Sequence, residues 1–569
     1  MSTLRYELIY ATINRADTLI DVNIYNDIHK HFEIKKQTVL ADKFLTNDEK
    51  TYAIRFLTKD YDRDKVMDND GTKRICENCN QECLATLYCD HCIRNYLKKN
   101  FTNWTSGNDD IDNLIQKCQM EVLAPNMIVE WIPYSNLKNI KYLIKDEFSE
   151  IYTADWIGGI YDEWDSKKKQ LKRIERPEIQ SPVVKVVLKK LVNVKSASKS
   201  WFEEAKSYLT ISNKRTEIVR CYGLTQNPLN ENYMLVMAKM DIDLRKYLQQ
   251  NHEKITWKER IKIAYEIVLT LCYIHKEKVI HRDLHSGNIL YLQLNDYWYI
   301  GDLGFYGPAD KSSKSIYGNL PYIAPEVLIG GEYTFASDIY SIAILMWEIS
   351  SGHPPFINYE HDYDLAVNII NGIRPKIVSE TLLEYEDLMK ECWDADPSKR
   401  PDAYTLLKKI EKINFDYQKM SDELFQSESD NLEISKASNL ETNYTISRLF
   451  TSKIHNFENL PEPRNATEEE QEEFQNKSND FSIPDDINDH DLDGSNKQNG
   501  RRSSKVVNIF RAGSKRLSKV FKKLQINSND DEKEIIQKEQ DINIDDDDEI
   551  YKDPNLLLKE QDELKILDG

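Results

Sequence analysis

The chain has 569 residues, room for two or three domains, and carries 96 Asp and Glu against 76 Lys and Arg, a net charge of −20. So acidic a balance argues against general nucleic-acid binding, which requires a basic surface to neutralise phosphates. No charged-then-apolar leader is visible and the longest apolar run, Ile342 to Trp347, is too short to cross a bilayer, so an intracellular, cytoplasmic chain is expected.

Residues 1–70 mix short apolar clusters with many charges and contain no glycine or proline, which predicts a small helical region with no function assigned to it. Five of the nine cysteines then crowd between Cys76 and Cys92. Cys76 and Cys79 form one knuckle and, nine residues on, Cys89 and Cys92 form a second. That pattern predicts a structural Zn²⁺ held by four thiolates in a reducing compartment, with Cys83 and His91 as spare candidates. From about residue 134 the periodicity shortens to that of β strands: Ile140–Ile144, then Ile151–Trp156 up to the Gly158-Gly159 turn. A polar insertion rich in Lys and Arg follows, and Val183 to Leu191 returns as a strand with Lys189 on it. In the next segment Glu204 lies three residues after Trp201 and four before Tyr208, on one inward stripe of a helix, with Glu203 as the alternative.

Apolar residues at helical spacing run from Ile261 to His275 and lead into His281-Arg282-Asp283-Leu284-His285-Ser286-Gly287-Asn288. Asp302-Leu303-Gly304 and Ala324-Pro325-Glu326 come after it. An Asp that can accept a hydroxyl proton, an Asn five residues later and a second Asp fourteen beyond that are the groups phosphoryl transfer from magnesium–ATP requires. This ordered set resembles the catalytic core of protein kinases. With Cys221-Tyr222-Gly223-Leu224-Thr225, Leu244-Arg245-Lys246-Tyr247-Leu248 and Gly318-Asn319-Leu320-Pro321-Tyr322, it is similar to the tyrosine-kinase-like group expanded in some fungi. The cysteine knuckles and Phe101 to Asn108 resemble that group's N-terminal extension.

The resemblance implies an α+β, two-lobed protein-kinase fold, with a small, mostly β lobe and a large α-helical lobe behind a zinc-ribbon-like module. It also implies transfer of the γ-phosphoryl group of ATP to protein hydroxyls, Ser/Thr favoured, in intracellular signalling. In that scheme Asp283 is the catalytic base, Asn288 and Asp302 hold Mg²⁺, and Lys189 reaches the α and β phosphates with Glu204 orienting it. Arg282 braces the activation segment, Glu326 pairs with Arg400, and Asp338 anchors the catalytic loop from below. The sequence departs from the pattern in the nucleotide loop, Ile144 to Ile151, which has no glycine and carries Asp146, Glu147 and Glu150. Glycine there lets backbone N–H groups approach the phosphates, so a pseudokinase scaffold with weak or no use of ATP is the alternative.

Beyond about residue 413 the chain turns polar, with acidic blocks at 467–473 and 545–549, and a largely disordered tail is expected. Within it, residues 501–524 place Val506, Phe510, Leu517, Phe521 and Leu524 at helical spacing among Lys and Arg. Such a basic amphipathic segment suits anionic lipid or a calmodulin-like groove. The expected order is a helical region at 1–70, a cysteine module at 71–95, a linker at 96–133, the kinase domain at 134–412 and the tail at 413–569.

Overall fold

The computed structural model describes residues 4–18, 20, 27–145, 149–174, 183–191, 199–212, 214–302, 316–419 and 452–478. Apart from 379–383 they lie in one compact unit. Helices α1 (Tyr6–Thr18), α2 (Ile28–Ala41) and α3 (Asn47–Asp68) pack Ile9, Tyr10, Ile13, Val39, Ala53 and Leu57 into a small core. The Asp27 carboxylate caps α2, and a reciprocal Thr46–Glu49 capping box starts α3. Both satisfy N–H groups that a helix start leaves without partners.

Strands β1 (Arg74–Ile75) and β2 (Glu82–Cys83) form a short hairpin, which leads to α4 (Asp90–Lys99) with Cys89 at its N-cap. Residues 96–133, expected as a linker, are instead folded. They carry α5 (Asp109–Met120), whose Ile111, Leu114, Ile115 and Cys118 are buried, and the strand β3 (Glu130–Trp131).

The small lobe is a six-stranded sheet built from β3, β4 (Leu137–Lys145), β5 (Ser149–Ile157), β8 (Val183–Leu191), β9 (Cys221–Gln226) and β10 (Tyr233–Ala238). Its order is β3-β9-β10-β8-β5-β4, antiparallel except for β3 on β9. The β3–β9 approach requires glycine at 223, because a Cβ there would stand 1.8 Å from the Glu130 carbonyl oxygen. Alternate residues Val184, Val186 and Leu188 face Ala154, Trp156, Met234 and Val236 in the core, the period-2 burial of a strand with one covered face. Between β5 and β8 the polar insertion forms a hairpin of its own, β6 (Tyr161–Asp165) with β7 (Gln170–Arg173). Leu171 leaves the main sheet to pack with Ile93 and Leu97 of α4. Asp162 and Glu163 accept from Lys59 and Arg55 of α3, each at 2.8 Å.

In the large lobe, α8 (Trp257–Lys276) packs against α10 (Phe335–Ser351) and α13 (Ala403–Gln418). Fifteen of the seventeen residues of α10 are buried, so the apolar run Ile342 to Trp347 lies in a core helix. Among the described residues no helix is long and apolar enough to cross a membrane. The short helix α9 (Pro325–Leu328) carries Glu326. Arg400, its side chain fully buried, donates to both Glu326 carboxylate oxygens at 2.7 and 2.8 Å, and also to the carbonyls of Ala336 and Asp394. Arg400→Ala strands the Glu326 carboxylate and two carbonyls. The expected loss is about 3–5 kcal/mol of stability, read as a lower denaturant midpoint; an unchanged midpoint would refute it.

One part of the expected tail also differs. Residues 452–478 lie on the large lobe as β15 (Lys453–His455), paired antiparallel with β14 (Ile316–Gly318), and a helix, α14 (Glu468–Ser478). The segments 420–451 and 479–569, including 501–524, are outside the described residues.

Candidate active site

The loop between α8 and β12 (Ile289–Leu292) is held from beneath by Asp338, which is 1% exposed. Its Oδ2 accepts from the His281 backbone N–H at 2.8 Å and its Oδ1 from that of Arg282 at 3.0 Å, while His275 Nε2 stands 2.9 Å from Oδ2. His281, fully buried, places Nε2 2.8 Å from the Gly301 carbonyl, tying the loop to the chain just before Asp302. This scaffold over-determines two residues held at positive φ, Arg282 at 72° and Asp302 at 55°. Non-glycine residues reach that region at a cost, and such strain concentrates at functional sites.

Asp283 is consequently presented from a rigid turn. It is buried, its Oδ1 accepts from the Ser452 hydroxyl at 2.7 Å, and His285 Nε2 stands 3.7 Å from Oδ2. The Gly287 N–H donates to His285 Nδ1 at 3.0 Å, so the ring proton sits on Nε2, towards the carboxylate. Burial pushes the Asp283 carboxyl up, but His285 and the Ser452 hydroxyl more than offset it and hold the group below the ordinary carboxylate value. The Asn288 amide N–H donates to the Asp283 carbonyl at 2.9 Å, which turns its side-chain oxygen the other way. From the small lobe, Lys189 on β8 forms an ion pair with Asp302. Lys189, Asp283, Asn288 and Asp302 therefore meet at the junction of the lobes. Glu204 lies on α6 (Lys199–Ser212), but its side chain is outside the described residues, as is that of Glu203.

Residues 146–148 of the nucleotide loop are also outside the described residues. The flanking Glu150 is engaged by Lys190 at 2.8 Å, Tyr152 at 2.9 Å and Lys145 at 3.3 Å, which draw its carboxyl down to about 2. One of the three acids of this loop is thus neutralised by its own strand neighbours. Further up the chain, the Sγ atoms of Cys76, Cys79, Cys89 and Cys92 lie within 4.8 Å of one another. Cys76–Cys92 and Cys79–Cys89 are 3.6 and 3.7 Å apart. Thiolates about 2.3 Å from one tetrahedral Zn²⁺ stand about 3.8 Å apart, so the set fits that ion. Cys83 is buried beside the cluster, and neither it nor His91 belongs to the set.

Sequence reasoning did not find Ser452. Nothing around it marks it, since Ile454-His455-Asn456-Phe457 shows no period-2 alternation that would announce a strand.

Residues 137–410 match the family model described as protein tyrosine and serine/threonine kinase; the chain carries a protein kinase domain. It is 28% identical over 309 residues to a probable serine/threonine-protein kinase, roco5, of Dictyostelium discoideum, covering 51% of this chain and 10% of that protein. It is 32% identical over 182 residues to the serine/threonine-protein kinase VIK of Arabidopsis thaliana, covering 30% of this chain and 41% of that one. It is 35% identical over 172 residues to a dual serine/threonine and tyrosine protein kinase of Gallus gallus, covering 30% and 18%. The chain thus spans less than half the length of each of these relatives.

Proposed function

We propose that the protein is an active kinase of the tyrosine-kinase-like group, transferring the γ-phosphoryl group of magnesium–ATP to Ser or Thr hydroxyls of protein substrates. The observation that carries this reading is the convergence of Lys189 and Asp302 across the two lobes, beside a buried, ionised Asp283. Asp302 and the side-chain oxygen of Asn288 are hard oxygen donors suited to Mg²⁺, which neutralises phosphate charge when bound with ATP. Lys189 holds the phosphates, with Glu204 as its orienting partner, Asp283 takes the proton of the acceptor hydroxyl, and Arg282 braces the activation segment. The test is transfer of label from magnesium–ATP to a generic protein substrate. Label that appears and is abolished by EDTA is expected, and no transfer from folded protein would sink the reading in favour of a scaffold.

The glycine-free loop lowers ATP affinity in this reading without abolishing it, because Glu150 is already paired. Replacing Asp146 and Glu147 together by glycine is expected to tighten ATP binding about tenfold, the effect of ~1.4 kcal/mol. Unchanged binding in a calorimetric titration would clear the loop of any defect. The same reading assigns Cys76, Cys79, Cys89 and Cys92 to a structural Zn²⁺ of an N-terminal extension and places the chain in the cytoplasm, where thiols stay reduced. Docking of 501–524 on anionic lipid or a calmodulin-like partner rests on the sequence alone.

A further inference from the structure

Residues 452–478 run along the large lobe from the loop that carries Asp283. β15 adds to β14 in antiparallel register, with His455 opposite Ile316, Ile454 opposite Tyr317 and Lys453 opposite Gly318. This is recognition by strand addition, in which main-chain hydrogen bonds hold an extended peptide. The register delivers the next residue, Ser452, to the catalytic loop, where its hydroxyl donates to Asp283 Oδ1 at 2.7 Å. That is within the reach a general base needs to abstract a proton.

Downstream anchors fix the segment independently of that contact. The Arg464 N–H donates to the Ile370 carbonyl at 3.0 Å, and Asn465 Oδ1 accepts from the Ala395 N–H at 2.9 Å. Gln471 Oε1 accepts from the Arg374 N–H at 3.1 Å, and Phe474 stacks on Tyr359 with ring centres 4.8 Å apart. The lobe is shaped for this path: Gly372, at φ 90°, lies so close that a Cβ would stand 2.1 Å from the Ala466 nitrogen. Docking therefore belongs to the whole segment, and Ser452 is the part of it that the anchors deliver to the site.

We propose that Ser452 is the chain's own phosphoacceptor and that residues 452–478 are an intramolecular substrate blocking the groove until Ser452 is modified. The proposal rests on the kinase reading above. In the step, Ser452 Oγ forms a bond to the γ phosphorus of magnesium–ATP as the bond from that phosphorus to the β–γ bridging oxygen breaks. The hydroxyl proton passes to Asp283 and then to solvent, and ADP leaves. The product sets a phosphate of charge near −2 beside the buried Asp283 carboxylate, and the two repel. A strand of three residues cannot resist that repulsion, so β15 leaves and the groove opens to other proteins.

The experiment follows label from magnesium–ATP into the full-length chain and a generic protein substrate, with the modified site mapped by mass spectrometry. It compares wild type, Ser452→Ala and the anchor variant Asn465→Ala with Phe474→Ala. Expected results are modification at Ser452 with a rate constant independent of chain concentration, and a lag in substrate labelling while it proceeds. Ser452→Ala should stay slow toward the substrate, and the anchor variant should start several-fold faster with no lag. Substrate labelling without modification of Ser452, or Ser452→Ala matching wild type, overturns the inference and leaves the kinase reading standing. A rate proportional to chain concentration overturns the intramolecular assignment. No transfer to any acceptor by wild type or the anchor variant overturns both.

Discussion

Replacing Asp283 by Ala is expected to lower the rate of phosphoryl transfer by about 10²–10⁴-fold, the usual contribution of a positioned general base. The loss should fall on kcat, because in the proposed reading Asp283 meets the acceptor hydroxyl and not the nucleotide, so ATP binding by calorimetry should be unchanged. Asp283→Asn is the sharper comparison, since an amide keeps the shape and can still accept the hydroxyl's hydrogen bond but cannot take its proton. If Asn restored most of the rate, positioning alone would be the role of this residue. The pH profile gives a second check. An acid held below its ordinary value stays charged at every pH above that value and loses its charge only as pH falls through the lowered one. No acid limb from Asp283 is therefore expected above the ordinary carboxylate range while Ser452 and His285 are in place. A limb near neutrality that vanished in Asp283→Asn would contradict the assignment.

Removing metal is expected to undo the cysteine hairpin while leaving the lobes folded. Structural zinc contributes apparent binding free energies of about 10–16 kcal/mol in small zinc domains at neutral pH, so a strong chelator is needed. β1 and β2 have two residues each, and so short a hairpin should not persist once the proposed ion, which would tie it to the start of α4, is removed. The rest of α4 is secured differently, because Ile93 and Leu97 are packed with Val122, Met127 and Leu171. Trp164, packed against the cysteines, should report the change through its fluorescence, and the four thiols should become reactive together. About one zinc per chain is expected by elemental analysis. A metal-free preparation, or thiols equally reactive before and after chelation, would remove the assignment.

The loop at 281–288 was legible as a candidate site because phosphoryl transfer demands particular groups at fixed spacing; Asp283, Asn288, Asp302 and Lys189 do meet in space, and their roles rest on the proposed reading. The strand Val183–Leu191 was equally legible from its alternation, since one face had to be buried. The β6–β7 hairpin was not, because Trp164 and Leu171 pack on the cysteine module and not on the main sheet, so their spacing has no period belonging to the lobe. Helix α5 did carry a signal, Ile111, Leu114, Ile115 and Cys118 at helical spacing, but over only three turns. Docking of 452–478 left almost no trace in the sequence, since Arg464, Asn465 and Gln471 are held by backbone groups of the large lobe, which any residue type supplies.

The parallel pairing of β3 on β9 bears on where this protein can be cut. A fragment beginning at residue 137, where the kinase family match starts, would lack Glu130 and Trp131. Gly223 and Leu224 would then present bare main-chain donors and acceptors beside an apolar core, and Arg173 would lose the carboxylate it now meets at 2.6 Å. Raw sheet edges of that kind template association between chains. The smallest self-sufficient piece of this molecule therefore begins upstream of β3.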